Sequence, residues 1–308
     1  MRALLAKTLF ALGCLIAVPS IAFAEDADAF YKQGMALKQQ GKTDDAIKAL
    51  EQAVEKNPTH GMAWASLGNL YKTKGDIPKA VKAYENATAR IKKDPVLWSN
   101  LGMAYYRNKE LDKALAALTT AAGFAPNDGE IRSNLGTVKR QKGDNKGAIV
   151  DLEAAVKLKP TEAQWWNNLG VAYRHEKRHD DAIRAYLKAT ELSPNDAGFH
   201  FNLGAAYRRK TESEPDIIAK AIAAYERATS LDPAHADAWF DLGHMYKLDH
   251  QNDKAIAALQ KYLDLNKGKD AAAAKKAEEE ISAMGGSAKS PKKAEPKKPA
   301  PKKPAPKK

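Results

Sequence analysis

Cysteine is nearly absent from this chain. Its 308 residues include one, Cys14, inside an apolar N-terminal stretch, so everything after residue 24 is cysteine-free. That excludes disulfides, thiolate metal sites, Fe–S clusters, covalent haem and a cysteine nucleophile from the remainder. The apolar run Leu9 to Val18 is too short to span a bilayer. No G-x-x-x-x-G-K-[ST] phosphate loop, no G-x-G-x-x-G and no G-x-S-x-G nucleophile turn occurs. The commonest sequence signatures of nucleotide binding and acyl transfer are therefore missing.

The two ends of the chain differ from its middle. Residues 1–24 read as a secretory signal: Arg2 and Lys7 are positive, an apolar stretch follows, Pro19 and Ser20 break it, and Ala22-Phe23-Ala24 forms a small-x-small cleavage site before Glu25. Cleavage after Ala24 and a periplasmic or otherwise extracytoplasmic location are expected. The residues around Cys14 lack a lipidation signal, because no Leu stands three residues upstream and Leu15 and Ile16 continue the apolar run. At the other end, residues 285–308 carry nine Lys against Glu295. This tail supplies +8 of the chain's net +12, and Arg2 and Lys7 supply two more, leaving residues 25–284 at +2. The basicity belongs to the tail.

Between the ends the sequence repeats itself every 34 residues. Asn100, Asn134, Asn168 and Asn202 keep that step, as do Gly68, Gly102, Gly136, Gly170 and Gly204. The repeat resembles the tetratricopeptide (TPR) pattern W-x2-L-G-x2-Y, A-x3-F, A, P. Residues 163–196 carry it in full: Trp166, Leu169, Gly170, Tyr173, Ala182, Tyr186, Ala189 and Pro194. Seven repeats align, at 27–60, 61–94, 95–128, 129–162, 163–196, 197–235 and 236–269. Repeat 1 departs with Phe30 for Trp and Gln33 for Leu, and repeat 4 with Arg132 for Trp and Lys139 for Tyr. Repeat 2 lacks the late Pro.

The resemblance implies an all-α fold, a right-handed α-solenoid of about seven helix-turn-helix units spanning 25–269. The residues support that reading on their own. Leu, Gly and Tyr share one helical stripe in each repeat. A Gly there weakens the helix and gains only if a second helix, with its Ala46, Ala80, Ala114, Ala148, Ala182, Ala221 or Ala255, comes close. Stacking then buries what one hairpin cannot. Residues 270–284, Ala-rich and charged on one side, read as a capping helix. Repeat 6 holds five extra residues, an acidic insertion at 211–216 in which Pro215 fits a helix start.

By the same resemblance, first helices line a concave groove that binds peptides. Groove position 6 of the repeats holds Asn100, Asn134, Asn168 and Asn202. Asn in a helix costs about 0.5–0.7 kcal/mol relative to Ala, and an amide that donates and accepts toward a peptide backbone would repay it. The superhelical domain of protein O-GlcNAc transferases is similar in this respect. Frequent Asn at this position across the family is the rival explanation. Position 12 reads Lys38, Lys72, Tyr106, Arg140, Arg174, Arg208 and Lys247, six of seven basic. Such a line points to an acidic partner, against the plainer reading of cations near helix C-termini. Phe201 and Phe240 at position 5 would seat an apolar anchor.

His175-Glu176-Lys177-Arg178-His179 matches H-E-x-x-H, which needs both His on one continuous helix. The repeat register puts a turn between them. The chain reads as a non-enzyme with no cofactor or metal, a scaffold for a protein or extended peptide. The Lys/Pro/Ala tail cannot bury a core, and its Lys292, Lys293, Lys297, Lys298, Lys302, Lys303, Lys307 and Lys308 suit anionic lipid, lipopolysaccharide or wall polymer. The alternative is an envelope tether or assembly factor that works mainly through that tail. Nucleic-acid association would require that the chain is not exported.

Overall fold

The computed structural model describes residues 18–210 and 216–288. Among the described residues there are fifteen α-helices and no strand. They are α1 (Val18–Gln39), α2 (Thr43–Lys56), α3 (Gly61–Lys74), α4 (Ile77–Arg90), α5 (Pro95–Arg107), α6 (Leu111–Phe124), α7 (Gly129–Gln141) and α8 (Asn145–Leu158). Then follow α9 (Ala163–His175), α10 (His179–Leu192), α11 (Ala197–Arg208), α12 (Asp216–Leu231), α13 (Ala236–Leu248), α14 (Asn252–Asn266) and α15 (Ala271–Ala283). The chain forms two bodies, Met1–Ala172 and Tyr173–Lys308, and the division falls inside α9.

Within each body the helices form hairpins. α1 packs on α2, α3 on α4, α5 on α6 and α7 on α8 in the first; α11 packs on α12 and α13 on α14 in the second. Each second helix also touches the first helix of the next hairpin, as α2 does α3 and α12 does α13. The first helices of repeats 2–7 begin at Gly61, Pro95, Gly129, Ala163, Ala197 and Ala236, the opening residue of each 34-residue period. The first helix of repeat 1 differs: α1 starts at Val18 and runs unbroken past Ala24.

The close approach expected of the repeat glycine is present, and its beneficiary is one bulky residue of the second helix. A Cβ on Gly102 would sit 2.6 Å from Leu118 Cγ and 3.3 Å from the Ala114 carbonyl oxygen. Gly34, Gly136 and Gly243 stand in the same relation to Leu50, Leu152 and Leu259, and Gly68 and Gly204 to Tyr84 and Tyr225. Those side chains, with the interhelical alanines, are the most buried in the protein. Dense burial of this kind, rather than helix propensity, holds the stack.

The hairpin turn is equally regular. Gly41, Gly75, Lys109, Gly143, Lys177 and His250 occupy one repeat position, and all have positive φ. The following N–H reaches back to the carbonyl of the repeat tyrosine or its replacement: Asp76 to Tyr71, Glu110 to Tyr105, Asp144 to Lys139, Gln251 to Tyr246. That closes the first helix in a Schellman-type motif. Helix α4 ends at Arg90, the same register as its counterparts, although repeat 2 has no late Pro. The late Pro therefore reinforces a stop that the next repeat already imposes: Asp94 caps α5, its carboxylate accepting from the Leu97 N–H.

The segment expected to cap the stack does so. Asp270 caps α15, and Ala277 and Ile281 are buried against Leu259, Tyr262 and Leu263 of α14. Residues 1–17, 211–215 and 289–308 lie outside the described residues. So do most of the signal segment, all of the acidic insertion but Asp216, and the eight tail lysines from Lys292 to Lys308.

Candidate functional site

In the first body successive first helices are joined by side-chain hydrogen bonds along a polar face. The Asn column is part of that joinery. Asn134 Nδ2 on α7 donates to Ser99 Oγ on α5 at 3.3 Å, and Asn168 Nδ2 on α9 donates to Thr137 Oγ1 on α7 at 3.4 Å. Asn168 Oδ1 accepts from Gln164 Nε2 at 3.1 Å. Asn100 Oδ1 accepts from Lys72 Nζ at 3.0 Å. Each amide is half-buried and uses part of its four-bond capacity this way. In the Tyr173–Lys308 body, Asn202 on α11 is half-buried and engaged within the chain. The Asn side chains thus have a structural use that the sequence did not reveal.

The basic line divides into two kinds of cation. In the second body Arg208 and Lys247 have carboxylates. Arg208 Nη1 lies 3.5 Å from Asp241 Oδ1, and Asp241 Oδ2 also accepts from the Tyr225 hydroxyl at 3.1 Å. Lys247 Nζ lies 3.7 Å from Glu280 Oε2 of α15, whose other oxygen meets His244 Nε2 at 3.0 Å. Expected as contacts for an acidic partner, Arg208 and Lys247 are already supplied with acid. In the first body, Lys72 has the neutral Asn100 amide instead. Burial pulls the Lys72 pKa below the usual lysine value, and Arg107 on the next repeat pushes it the same way; Glu130 opposes them more weakly. Two cations are thus crowded together. Farther along, Arg140 is half-buried, and its buried Nε has no hydrogen-bond partner; the same holds for Arg174 Nε in the second body. Buried donors normally find acceptors.

Position 5 is less open than its polarity suggested. Ser99, Ser133 and Asn167 are buried. The two phenylalanines expected to seat an anchor are packed within the chain. Phe201 lies against His235, ring centroids 4.6 Å apart, and Phe240 against His244 and Tyr262 at 4.4 and 4.8 Å. Phe240 and the α15 residues Ala273 and Ala274 pack against the same buried cluster of Leu259, Tyr262, Leu263, Ala277 and Ile281. On the first helices of the first body the exposed large apolar residues are Met62 and Val96, which are 53% and 59% exposed. Both occupy position 2, one turn before the Asn column. Beside Asn134 a cleft of about 640 Å³ opens between Glu130, Leu158, Glu162 and Trp165. Gly129 floors it because a Cβ there would strike Trp165 at 2.9 Å.

His175 closes α9 and His179 opens α10, with Lys177 in the left-handed region between them. The H-E-x-x-H geometry, which needs one continuous helix, is not formed. Among the described residues no three metal-ligating side chains converge, and no helix is long and apolar enough to cross a membrane.

Pattern reading passed over a set of bonds that link each repeat to the one before. The repeat tyrosine hydroxyl donates to a Glu twenty residues earlier: Tyr71 to Glu51, Tyr105 to Glu85, Tyr246 to Glu226. A lysine sits over each of those rings, at 5.4, 5.2 and 5.3 Å. The repeat tryptophan indole donates to the carbonyl six residues earlier, as Trp166 does to Pro160. Repeat 4 keeps the second bond with different chemistry: Arg132 Nε reaches the Pro126 carbonyl at 2.9 Å. Its guanidinium and Lys139 Nζ then close on Asp151 at 2.8 and 2.6 Å. Asp151 occupies a position that is Ala in the other six repeats.

The sequence matches the tetratricopeptide repeat family over residues 31–95, 66–129 and 133–197, and again over 224–257. No curated protein is significantly similar to it. Solved structures with the same fold include the C-terminal part of a TPR repeat-containing protein from Cytophaga hutchinsonii, 17% identical with a TM-score of 0.62, covering 79% of this chain and 97% of that one. PilF of Pseudomonas aeruginosa is 20% identical with a TM-score of 0.56, covering 69% and 94%. YrrB, described as a TPR protein with an unusual peptide-binding site, is 22% identical with a TM-score of 0.52, covering 62% and 96%. With the 34-residue register, the helical hairpins and the family match over more than half its length, this chain belongs to the tetratricopeptide repeat family and is an α-solenoid.

Proposed function

We propose that this protein is a non-enzymatic interaction scaffold whose first-helix face holds an extended, acidic protein segment. The observation that carries the reading is Lys72, half-buried with its Nζ on the neutral Asn100 amide, on the same first-helix face as the exposed Arg107. Around Lys72 the Arg107 cation outweighs the Glu130 carboxylate; such a field favours an acidic ligand, and half-used amides beside it can hold the ligand's backbone. YrrB is a relative of the same fold for which a peptide-binding site is described.

The signal-like N-terminal sequence supports an extracytoplasmic location for this activity, where the tail lysines would meet lipid head groups, lipopolysaccharide or wall polymer. Each lysine near such a surface contributes about 1 kcal/mol. A pull-down from the cell envelope, comparing the natural protein with a variant carrying Ala at Asn100, Asn134, Asn168 and Asn202, tests the scaffold. An identical captured set in both would end the Asn part of the reading. Fractionation tests export, and deletion of 285–308 should abolish surface association while leaving partner capture intact.

A further inference from the structure

In the first body the first-helix face has two edges of opposite character, and the edges define a ligand. Met62 on α3 and Val96 on α5 stand side by side on neighbouring repeats at position 2, both more than half exposed. Lys72 and Arg107 stand at the far ends of the same two helices. Ser66, Asn100 and Asn134 run between the edges. Ten residues of helix separate Met62 from Lys72 and eleven separate Val96 from Arg107, about 15 Å at 1.5 Å per residue.

We infer that this face takes an extended segment whose side chains alternate between aliphatic and acidic. In an extended chain successive side chains point to opposite sides. With its backbone laid over the amide column, one set of side chains meets Met62 and Val96 and the other meets Lys72 and Arg107. Two side chains directed oppositely span about the 15 Å between the edges. Helices packed roughly 8–10 Å apart place the faces of α3, α5 and α7 along a track that about six extended residues cover. A helical ligand fits less well. Its apolar and acidic faces would also be opposed, but its backbone groups are bonded internally, which leaves the amide column without partners. An unstructured acidic chain would use one edge and leave Met62 and Val96 in water.

This inference rests on the scaffold reading above and narrows the ligand class. Fluorescence polarisation with the full chain tests it, using labelled peptides of about ten residues: Leu and Glu alternating, the same composition in two blocks, and Leu and Lys alternating. The alternating Leu/Glu peptide should bind at least about ten-fold more tightly than the other two. Val96→Ser should weaken the alternating Leu/Glu peptide about ten-fold and the block peptide less, while Lys72→Glu should weaken both. Both substituted residues are solvent-accessible, and a thermal melt of each variant checks that the fold is kept; Met62→Ser serves as the second probe of the apolar edge. Equal binding of the alternating and block peptides, or no effect of either apolar-edge variant, overturns the inference. If that happens while the envelope partner still depends on the Asn column, the scaffold reading stands and only the ligand class is wrong. If the alternating peptide binds as described and envelope capture is indifferent to the Asn column, the ligand class stands and the Asn contribution is what fails.

Discussion

Repeat 4 offers a sharp test of what holds this stack together. Asp151 is 2% exposed, and its two oxygens are held by Arg132 and Lys139. Asp151→Ala removes the acid and leaves two cations facing one another, with side chains 28% and 26% exposed. Breaking a fully buried ion pair costs about 3–5 kcal/mol. Partial solvent access to both cations puts this variant at the lower end, about 3 kcal/mol. The informative counterpart restores what other repeats use at these sites: Arg132→Trp, Lys139→Tyr and Asp151→Ala, with Thr119→Glu to give the new tyrosine the partner that Glu85 gives Tyr105. A Trp at 132 would still reach the Pro126 carbonyl that Arg132 Nε now binds. Exchanging a buried ionic cluster for packed apolar side chains is neutral or gains about 1–4 kcal/mol. Urea unfolding followed by circular dichroism should give a lowered midpoint for the single variant and a midpoint at or above that of the natural protein for the fourfold one. Because long repeat arrays can unfold in parts, amide hydrogen exchange in α7 and α8 should report the same order. A single variant within 0.5 kcal/mol of the natural protein, about the scatter of ordinary surface changes, would refute the view that the triad is buried and coupled. So would a fourfold variant weaker than the single one.

Gly102→Ala should destabilise by about 1–3 kcal/mol, the usual cost of overpacking, because its Cβ would strike Leu118 Cγ and the Ala114 carbonyl; a midpoint equal to that of the natural protein would contradict the notch. Lys109→Gly should stabilise by up to about 1 kcal/mol, since Lys109 has φ 65° where other repeats use Gly; differential scanning calorimetry reads the shift. Burial, and for the latter two a hydrogen-bonded Glu, holds the hydroxyls of Tyr84, Tyr71 and Tyr105 well above the ordinary tyrosine pKa. The folded state keeps these protons where the unfolded chain loses them, so the tyrosines' contribution to stability is constant below about pH 10 and falls as pH rises beyond it; absorbance at alkaline pH should show these phenols ionising only with unfolding.

Much of the fold was legible because the 34-residue register carries several signals in phase. Gly102, Ala114, the Trp98 and Tyr105 positions and the turn at Lys109 each constrain the same hairpin, and repetition confirms them. The stop at Arg90 without a Pro shows that no single signal was indispensable. The candidate site was legible only as columns. Counting along helices placed Asn100, Asn134 and Lys72 on one face, but it could not say which side chains were already satisfied. Asp241 is 33 residues from Arg208, and Glu280 is 33 from Lys247; both carboxylates approach from a later helix. Nothing in the spacing marks them as partners. The partners of Phe201 and Phe240 were hidden for a similar reason, since His235 and Tyr262 reach them only in the folded chain. Repeat 4 was visible as a departure, yet Asp151 looked like any acidic residue until Arg132 and Lys139 converged on it.

The Asn column can now be separated into its two uses. Asn134→Ala removes one hydrogen bond to Ser99, a long one at 3.3 Å, worth about 0.5–1 kcal/mol at the weak end of its class. The same change gains about 0.5–0.7 kcal/mol of helix propensity. The two nearly cancel, so Asn134→Ala should leave the unfolding midpoint within about 0.5 kcal/mol of the natural protein. Asn100→Ala should behave alike, but it also removes the side-chain acceptor of Lys72 Nζ. Small stability changes would make these variants clean probes, since any loss of a captured partner is then a loss of contact rather than of fold. If Asn134→Ala instead costs 2 kcal/mol or more, as removal of a fully committed buried amide would, the column is structural. The acidic-peptide reading would then rest on Lys72 and Arg107 alone.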